Sequence, residues 1–219
     1  MKQRNTQFAV IGLGRFGTSM TKELIRMGHD VLVIDNSETT INDIADTATH
    51  AVQADAMDEE ALKSLGIGNF DVAVVSIGEK IQANILAAII LKEMGVKRVV
   101  AKAQNELHGK VLHKLGAEVI FPERDMAVKL ARSLASQNIL DQIDISPDYG
   151  IMELVAPDSF VDKSLEQLAV RKKAGVNILA VRRGEEIIVS PPASFQIQRG
   201  DVVVALGKNR HLLGLSENN

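Results

Sequence analysis

The chain has 219 residues, which is enough for one large domain or two small ones. Apolar residues make up 46% of it and aromatic residues only 3%, so the core must consist mainly of Val, Ile, Leu and Ala. The absence of cysteine excludes disulfides, thiolate metal sites and cysteine nucleophiles. The formal net charge is −3, neither half is basic, and no helix-turn-helix or aromatic stacking motif occurs, so nucleic-acid binding is not expected.

No secretory signal pattern stands at the N-terminus, because only a short apolar stretch follows the first residues and glycines interrupt it. The longest apolar segment, 81–91, is interrupted by Gln82 and Asn84 and is too short to span a bilayer. The sequence therefore predicts a soluble, cytoplasmic protein.

The first predicted unit is a strand, a tight turn and a helix. Residues 8–11 form an apolar run that suits a buried strand, and residues 18–27 carry a helical apolar pattern. Between them lies a full G-x-G-x-x-G motif, in which Gly12 allows the sharp turn, Gly14 lets a pyrophosphate approach the backbone, and Gly17 allows close packing of helix on strand. The helix N-terminus would attract phosphate through its N–H groups and partial positive charge.

Three charged residues extend this candidate dinucleotide site. Asp35 directly follows the second predicted strand, 31–34, at the position where an acidic residue contacts the adenosine ribose. An acidic residue there disfavours a 2′-phosphate on the ribose, so NADP is the least expected ligand. Arg15 lies inside the glycine loop and is the candidate partner of a terminal phosphate. Lys102 interrupts an apolar predicted strand near its carboxyl end. The alternatives are a glycine turn without a ligand, and solvated surface charges at Arg15 and Lys102.

Strands and helices alternate over residues 7–121. The predicted strands are 8–11, 31–34, 50–55, 72–77, 98–103 and 118–121. This order predicts an α/β fold with a Rossmann-like, doubly wound parallel six-stranded sheet. Ligands bind beyond the carboxyl ends of such strands, where the sequence places Gly12, Gly14, Arg15, Asp35, Asn36, Asp55, Ala56, Ile77, Gly78, Glu79, Lys102, Ala103 and Glu123.

The second half of the chain has a different pattern. A further helix is predicted over 123–140, and its apolar stripe requires a partner in its own sheet, the neighbouring domain or another subunit. The turn-forming cluster 146–150 marks a domain boundary. The predicted organisation is a nucleotide-binding domain at 7–124, a linker or crossover helix at 125–145, and a small α+β lobe at 146–219, with a helix at 164–173 and an alternating segment at 195–198.

The second lobe lacks the machinery of an NAD-dependent oxidoreductase, which is the main alternative function. Of five histidines only His211 lies in this lobe, and Tyr149 has no lysine four positions later. A dinucleotide-sensing transcription regulator is disfavoured because no DNA-reading helix is found. A nucleotide-binding fold without catalytic groups indicates a sensor rather than an enzyme.

The chain as a whole resembles the cytoplasmic regulatory subunits of bacterial Ktr/Trk-type potassium transporters, which contain an RCK (regulator of potassium conductance) domain. The resemblance rests on an ordered series of motifs that covers most of the chain: FAVIGLGRFG, HDVLVIDN, HAVQADAMDEEAL, DVAVVSIGEKIQANILAAIILKEMG, VAKAQNELHGKVLHKLGAEVIFPERDMA and GVNILAVRRGEEIIVSP.

This resemblance implies an RCK N-lobe that binds nucleotide and an RCK C-lobe that regulates. It implies a homodimer that assembles into a homo-octameric ring, peripheral on the inner face of the cell membrane, with a membrane-embedded Ktr-type potassium transporter subunit as partner. ATP and ADP would compete for the N-lobe, NAD(H) could also bind, and ATP would favour the conducting state.

The resemblance also implies site residues. Arg15 would contact the γ-phosphate across the dimer, Asp35 the ribose, and Glu123 a divalent cation (Mg or Ca) at the dimer interface. The implied nucleotide site comprises Gly12, Gly14, Arg15, Phe16, Gly17, Asp35, Asn36, Ser37, Asp55, Ala56, Ile77, Gly78, Glu79, Lys102, Ala103, Gln104 and His108. Some relatives bind cyclic di-AMP in the C-lobe, where the corresponding residues are Arg171, Asn177, Ile178 and Pro191.

Overall fold

The computed structural model describes residues 6–135 and 138–216, and it forms two compact units, one up to Pro122 and the other from Glu123 onward. No helix within these described ranges has both the length and the apolar character needed to cross a membrane.

The first unit is built on a parallel sheet of six strands in the order β3-β2-β1-β4-β5-β6. The strands are β1 (Gln7–Ile11), β2 (Asp30–Asp35), β3 (His50–Gln53), β4 (Val72–Val75), β5 (Arg98–Lys102) and β6 (Glu118–Ile120). The helices between them are α1 (Arg15–Arg26), α2 (Glu38–Ile44), α3 (Glu59–Ser64), α4 (Ile81–Glu93) and α5 (Glu106–Lys114). The predicted Rossmann-like sheet is thereby confirmed.

The buried residues of the central strands are apolar because helices cover both faces of the sheet. All four residues of β4 are buried, as are the last three of β1. One core cluster packs Ile11, Leu62, Ala87 and Leu91, and another, which includes Val10, Val33 and Ile41, forms a second packing region. Packing on both faces fixes the carboxyl ends of β1 and β4, which position the candidate site.

The second unit is built on an antiparallel sheet of five strands in the order β10-β9-β11-β8-β7. Its strands are β7 (Ile139–Asp144), β8 (Tyr149–Val155), β9 (Asn177–Arg183), β10 (Glu186–Val189) and β11 (Val202–Lys208). Its helices are α6 (Pro122–Ala135, which begins one residue before the unit boundary), α7 (Leu165–Leu168), α8 (Val170–Ala174) and α9 (Asn209–Ser216). The buried core includes Met152, Leu154, Val181, Val203 and Leu212, which confirms the predicted α+β character.

The segment predicted as a helix over 123–140 is in fact a shorter helix followed by a strand. Helix α6 ends at Ala135, residues 136 and 137 lie outside the described ranges, and β7 begins at Ile139. Pairing with β8 determines this outcome, because Ile139 is buried opposite Leu154. The segment 125–145 is therefore not a continuous crossover helix, and the cluster 146–150 is the hairpin turn between β7 and β8, with the Ile145 N–H donating to the Tyr149 carbonyl at 2.9 Å.

Two smaller predictions in this lobe were also wrong. The helix predicted over 164–173 is broken at Ala169, whose φ of +48° lies in the left-handed region, so α7 and α8 are separate short helices. The alternating segment 195–198 forms no strand and contributes only an isolated bridge between Gln196 and Ser164.

Candidate functional site

The candidate site lies where the strand order of the parallel sheet reverses. Strands β1 and β4 are neighbours, but the chain continues from β1 toward β2 on one side and from β4 toward β5 on the other. The loops that leave their carboxyl ends therefore diverge and open a crevice between them. This topological switch point is the usual ligand site of open α/β sheets.

The three motif glycines have different surroundings. Gly12 has a φ of +92°, and a Cβ there would lie 2.9 Å from the Ile77 nitrogen. A Cβ on Gly17 would overlap the Gly12 carbonyl oxygen, so this position requires glycine for packing. Gly14 is exposed, and a Cβ there would meet no atom within 4 Å. The open side of the loop is therefore at Gly14.

Two helices of the first unit begin without a side-chain cap, and both flank the crevice. Helix α1 follows Gly14, which has no side chain to act as a cap. Helix α4 follows Lys80, whose side chain accepts no hydrogen bond from the first turn. By contrast, Ser37, Asp58 and Asn105 cap the helices that begin away from the switch point. The first N–H groups of α1 and α4 are therefore suited to bind an anion such as a phosphate.

Asp35 anchors the glycine loop to the end of β2. One carboxylate oxygen accepts the Leu13 N–H at 2.7 Å and the other accepts the Ser37 N–H at 2.9 Å. Each oxygen keeps a second lone pair that can accept a hydroxyl hydrogen bond. Asn36 is exposed beside it, and Ser37 caps α2 by accepting the Thr40 N–H at 3.3 Å. Asp35 can thus hold the loop and still contact a ribose.

Arg15 and Phe16 occupy the first turn of α1, directly after Gly14. Arg15 is exposed and Phe16 is half-buried. The Arg15 guanidinium therefore stands at the same helix end as the uncapped N–H groups, where it adds a full positive charge. This arrangement can bind a phosphate more strongly than the helix end alone.

The remaining predicted residues of the first unit lie at the ends of β3, β4 and β5. Asp55 accepts the Met57 N–H at 2.9 Å, and Ala56 is buried beside it. Ile77 and Gly78 are half-buried and Glu79 is exposed. The Lys102 ammonium lies 3.9 Å from the position that a Cβ would take on Gly78, so β4 and β5 contribute to one side of the crevice.

His108 is buried beneath the loop after β5. The Gln104 N–H donates to its Nδ1 at 3.3 Å, which leaves the ring proton on Nε2, a buried atom without a hydrogen-bond partner. Burial lowers the pKa of His108, so the imidazole is neutral at pH 7. Here it holds the backbone of the loop that follows the buried Ala103.

Two buried polar residues that the sequence pattern did not single out donate hydrogen bonds to backbone carbonyls of the site. The Ser76 hydroxyl donates to the Gly12 carbonyl, and the Asn84 amide donates to the carbonyls of Ile77 (2.9 Å) and Lys102 (3.2 Å). The available signal was the presence of polar residues within two apolar runs: Ser76 in 72–77, and Gln82 and Asn84 in 81–91.

Five predicted site residues lie in the second unit. Glu123 is exposed in the first turn of α6, and Arg171 is exposed in α8. Asn177 and Ile178 begin β9, and the Ser190 N–H donates to the Leu179 carbonyl at 2.8 Å, so Pro191 follows directly after the end of the β9–β10 pairing. Within the described parts of the chain, no group of three His, Asp or Glu side chains could hold a metal ion.

Comparison with known proteins identifies both units. Residues 8–123 match the TrkA-N domain and residues 151–218 match the TrkA-C domain. The Ktr system potassium uptake protein A of Bacillus subtilis (strain 168) is 47% identical to this chain over 210 residues, which is 95% of each chain. The Ktr system potassium uptake protein C of the same organism is 46% identical to this chain over 202 residues, which is 92% of this chain and 91% of the relative.

A solved structure supports the fold at lower identity. The structure described as the GsuK channel bound to NAD superposes with a TM-score of 0.67 at 16% identity, covering 100% of this chain and 40% of that one. From the two domain matches and the level of identity, we conclude that this chain belongs to the family of Ktr-type potassium uptake proteins with TrkA-N and TrkA-C (RCK) domains.

Proposed function

We propose that the first unit binds ATP or ADP, with NAD(H) as a further ligand, and that this binding controls potassium flux through a membrane-embedded Ktr-type transporter subunit. The observation that carries the proposal is the pair of uncapped helix ends at the switch point, beside the open face of Gly14. A nucleotide would place its phosphates at these N–H groups and its ribose at Asp35.

The potassium role is supported by the family. The two B. subtilis relatives are named potassium uptake proteins and align with nearly the whole chain. The proposal includes a homodimer that assembles into an octameric ring, bound peripherally to the inner face of the membrane. The proposed role is regulatory rather than enzymatic.

The nucleotide site is tested by Gly14→Ala. The added methyl meets no protein atom and the backbone φ of −64° suits alanine, so stability should change by less than about 0.5 kcal/mol. The same methyl would occupy the space where phosphate approaches the loop, so nucleotide affinity should fall by at least about tenfold, or 1.4 kcal/mol. Isothermal titration with ATP and ADP measures this; an unchanged affinity would place the nucleotide elsewhere.

Discrimination between ATP and ADP is assigned to Arg15. Its exposed position at the start of α1 would let it reach a terminal phosphate bound in a neighbouring subunit, and only ATP carries that phosphate. Such a differential contact is what a ligand needs in order to shift a conformational equilibrium. We expect Arg15→Ala to narrow the difference between ATP-bound and ADP-bound ring shapes in a small-angle scattering titration. Unchanged discrimination would contradict this role.

A ligand scan separates the proposed function from its main alternative. Thermal unfolding is measured with ATP, ADP, NAD, NADH, NADP and cyclic di-AMP; a ligand of the folded state at a hundredfold excess over its Kd stabilises by about 2.7 kcal/mol. Shifts with ATP and ADP would support the nucleotide sensor. A shift with NADH alone, together with NADH turnover, would favour an NAD-dependent oxidoreductase.

Two further ligands are proposed for the second unit. Cyclic di-AMP would bind near Arg171, Asn177, Ile178 and Pro191, the last three of which lie at the start of β9 or just after the end of β10, at the open end of this hairpin. A divalent cation (Mg or Ca) would bind Glu123 at a subunit interface, where a second chain could supply further ligands. In the ligand scan, a cyclic di-AMP shift that persists in Gly14→Ala would be attributed to a site apart from the glycine loop.

A further inference from the structure

Asn84 is a fully buried polar residue in an otherwise apolar part of α4. Its exposure is 0%, and the buried residues of the same helix are Ala83, Ala87, Ala88 and Leu91. Its Oδ1 is buried without a hydrogen-bond partner. Burying a polar group that is only partly hydrogen-bonded costs stability, so an apolar side chain would serve the helix core better. The asparagine therefore requires an explanation other than core packing.

The two N–H groups of the Asn84 amide connect the loop after β4 with the last residue of β5. They donate to the Ile77 carbonyl at 2.9 Å and to the Lys102 carbonyl at 3.2 Å. The pairing of β4 with β5 ends at Val75 and Ala101, so both carbonyls lie beyond its last residue pair. There Ile77 lies in the loop before α4, while Lys102 is still paired with Ile120 of β6 but no longer with β4. The Asn84 amide holds them together where the backbone ladder has stopped.

Both segments carry residues of the candidate nucleotide site. Ile77 precedes Gly78, and the Lys102 ammonium lies 3.9 Å from the position of a Cβ on Gly78. Asn84 lies in the first turn of α4, whose uncapped end faces the crevice, so one side chain joins that helix to both segments. Loss of its amide would remove the link between the Ile77–Gly78 peptide and the backbone of Lys102, which would keep its pairing with Ile120 of β6.

We infer that Asn84 is a positioning residue for the nucleotide site, which holds the β4–α4 loop and the end of β5 at the separation that the ligand requires. This inference rests on the proposed nucleotide binding. Asn84 does not contact the ligand; it acts through Gly78 and Lys102. A binding site held to within a fraction of an ångström needs such support, because small displacements weaken several contacts together.

The test compares nucleotide affinity with stability in Asn84→Leu, which has a similar size and no amide. The control is Leu91→Val, which removes one methylene at a fully buried position of the same helix, two turns away. We expect Asn84→Leu to weaken ATP and ADP binding by at least about tenfold, while Leu91→Val lowers the thermal midpoint without changing either Kd. If Asn84→Leu does not fold, Asn84→Ser, which is smaller and also lacks the amide, takes its place.

A second measurement distinguishes positioning from a general structural role. Amide hydrogen exchange of the ligand-free protein should accelerate at residues 77–79 and 103–104 in the Asn84 variant and not in Leu91→Val. Wild-type affinity in the Asn84 variant, or an equal loss in both variants, would overturn the inference while leaving nucleotide binding intact. A wild-type protein that binds no nucleotide would instead overturn the proposed function, and the inference with it.

Discussion

Gly17→Ala should destabilise the first unit by about 3 kcal/mol and abolish nucleotide binding. The new Cβ would overlap the Gly12 carbonyl oxygen and lie 2.5 Å from the Ser76 hydroxyl. Both neighbours are constrained, since the Gly12 N–H donates to the Ile34 carbonyl at 2.8 Å and the Gly12 carbonyl accepts from Ser76. The loop must therefore move away from β4, which removes the open face of the site. Far-ultraviolet circular dichroism during thermal unfolding measures the loss.

The matched control for this variant is Gly14→Ala, the same change three residues earlier in the same loop. It should leave stability unchanged, because only position 17 is enclosed by backbone. Tyr149, the single tyrosine in a chain without tryptophan, lies in β8 and reports on the second unit alone. Its fluorescence transition should be unaffected by Gly17→Ala. Equal stability of the two alanine variants would show that helix α1 does not pack on β1 as described.

Asp201→Asn should destabilise the second unit by about 2 kcal/mol, or roughly 10 °C in Tm. The Asp201 side chain is 1% exposed and accepts three hydrogen bonds, from Arg183 Nε (2.8 Å), Arg183 Nη2 (2.7 Å) and the Gln198 N–H (2.8 Å). An amide at this position carries no charge and must turn its N–H₂ group toward a donor. The Tyr149 fluorescence transition measures the loss in the full chain.

An exposed ion pair in the same unit supplies the control. Asp158 accepts from Arg199 at 3.0 Å, but its side chain is 66% exposed. Asp158→Asn should therefore change stability by less than about 0.5 kcal/mol, as is usual for surface ion pairs. If both substitutions had the same effect, burial of the Asp201 carboxylate would not explain its contribution.

The same carboxylate gives the second unit an acid-sensitive component of stability. Burial raises the pKa of Asp201, but the hydrogen bonds from Arg183 and the Gln198 N–H, together with the Arg183 charge, lower it further, and the net pKa is below its ordinary value. A group whose pKa is lowered on folding stabilises the fold above its unfolded pKa. Its contribution is lost as the pH falls below about 4, and Asp201→Asn should lack this part of the acid dependence.

The sequence was sufficient to predict the parallel sheet, because its strands are apolar runs separated by helical patterns and are buried on both faces. It was insufficient at β7. The apolar spacing from Met126 to Leu134 favours one long helix, and nothing local indicates that Ile139 pairs with Leu154. A pairing between distant residues overrode the local helical pattern. The same holds at Ala169, where packing of the chain imposes a left-handed residue that alanine does not favour.

The candidate site, too, could be predicted from the sequence only in part. The glycine spacing and the acid after β2 could be found from the sequence because their roles depend on local chain geometry. Ser76 could not be found in this way, since its partner Gly12 is 64 residues away. Asn84 was visible only as an interruption of an apolar run, and its two acceptors depend on how β4 and β5 end. His108 was included through resemblance, but its burial follows only from the folded chain.

The order of the second sheet affects how this protein can fold during synthesis. Among the described residues, β11 is the last strand in chain order, yet it lies at the centre of the sheet, between β9 and β8. Until residues 202–208 have left the ribosome, the hairpins β7–β8 and β9–β10 each present an unpaired inner edge. Such edges can pair with other chains. The second unit can therefore complete its core only after residues 202–208 have emerged, whereas the strands of the first unit have all emerged earlier.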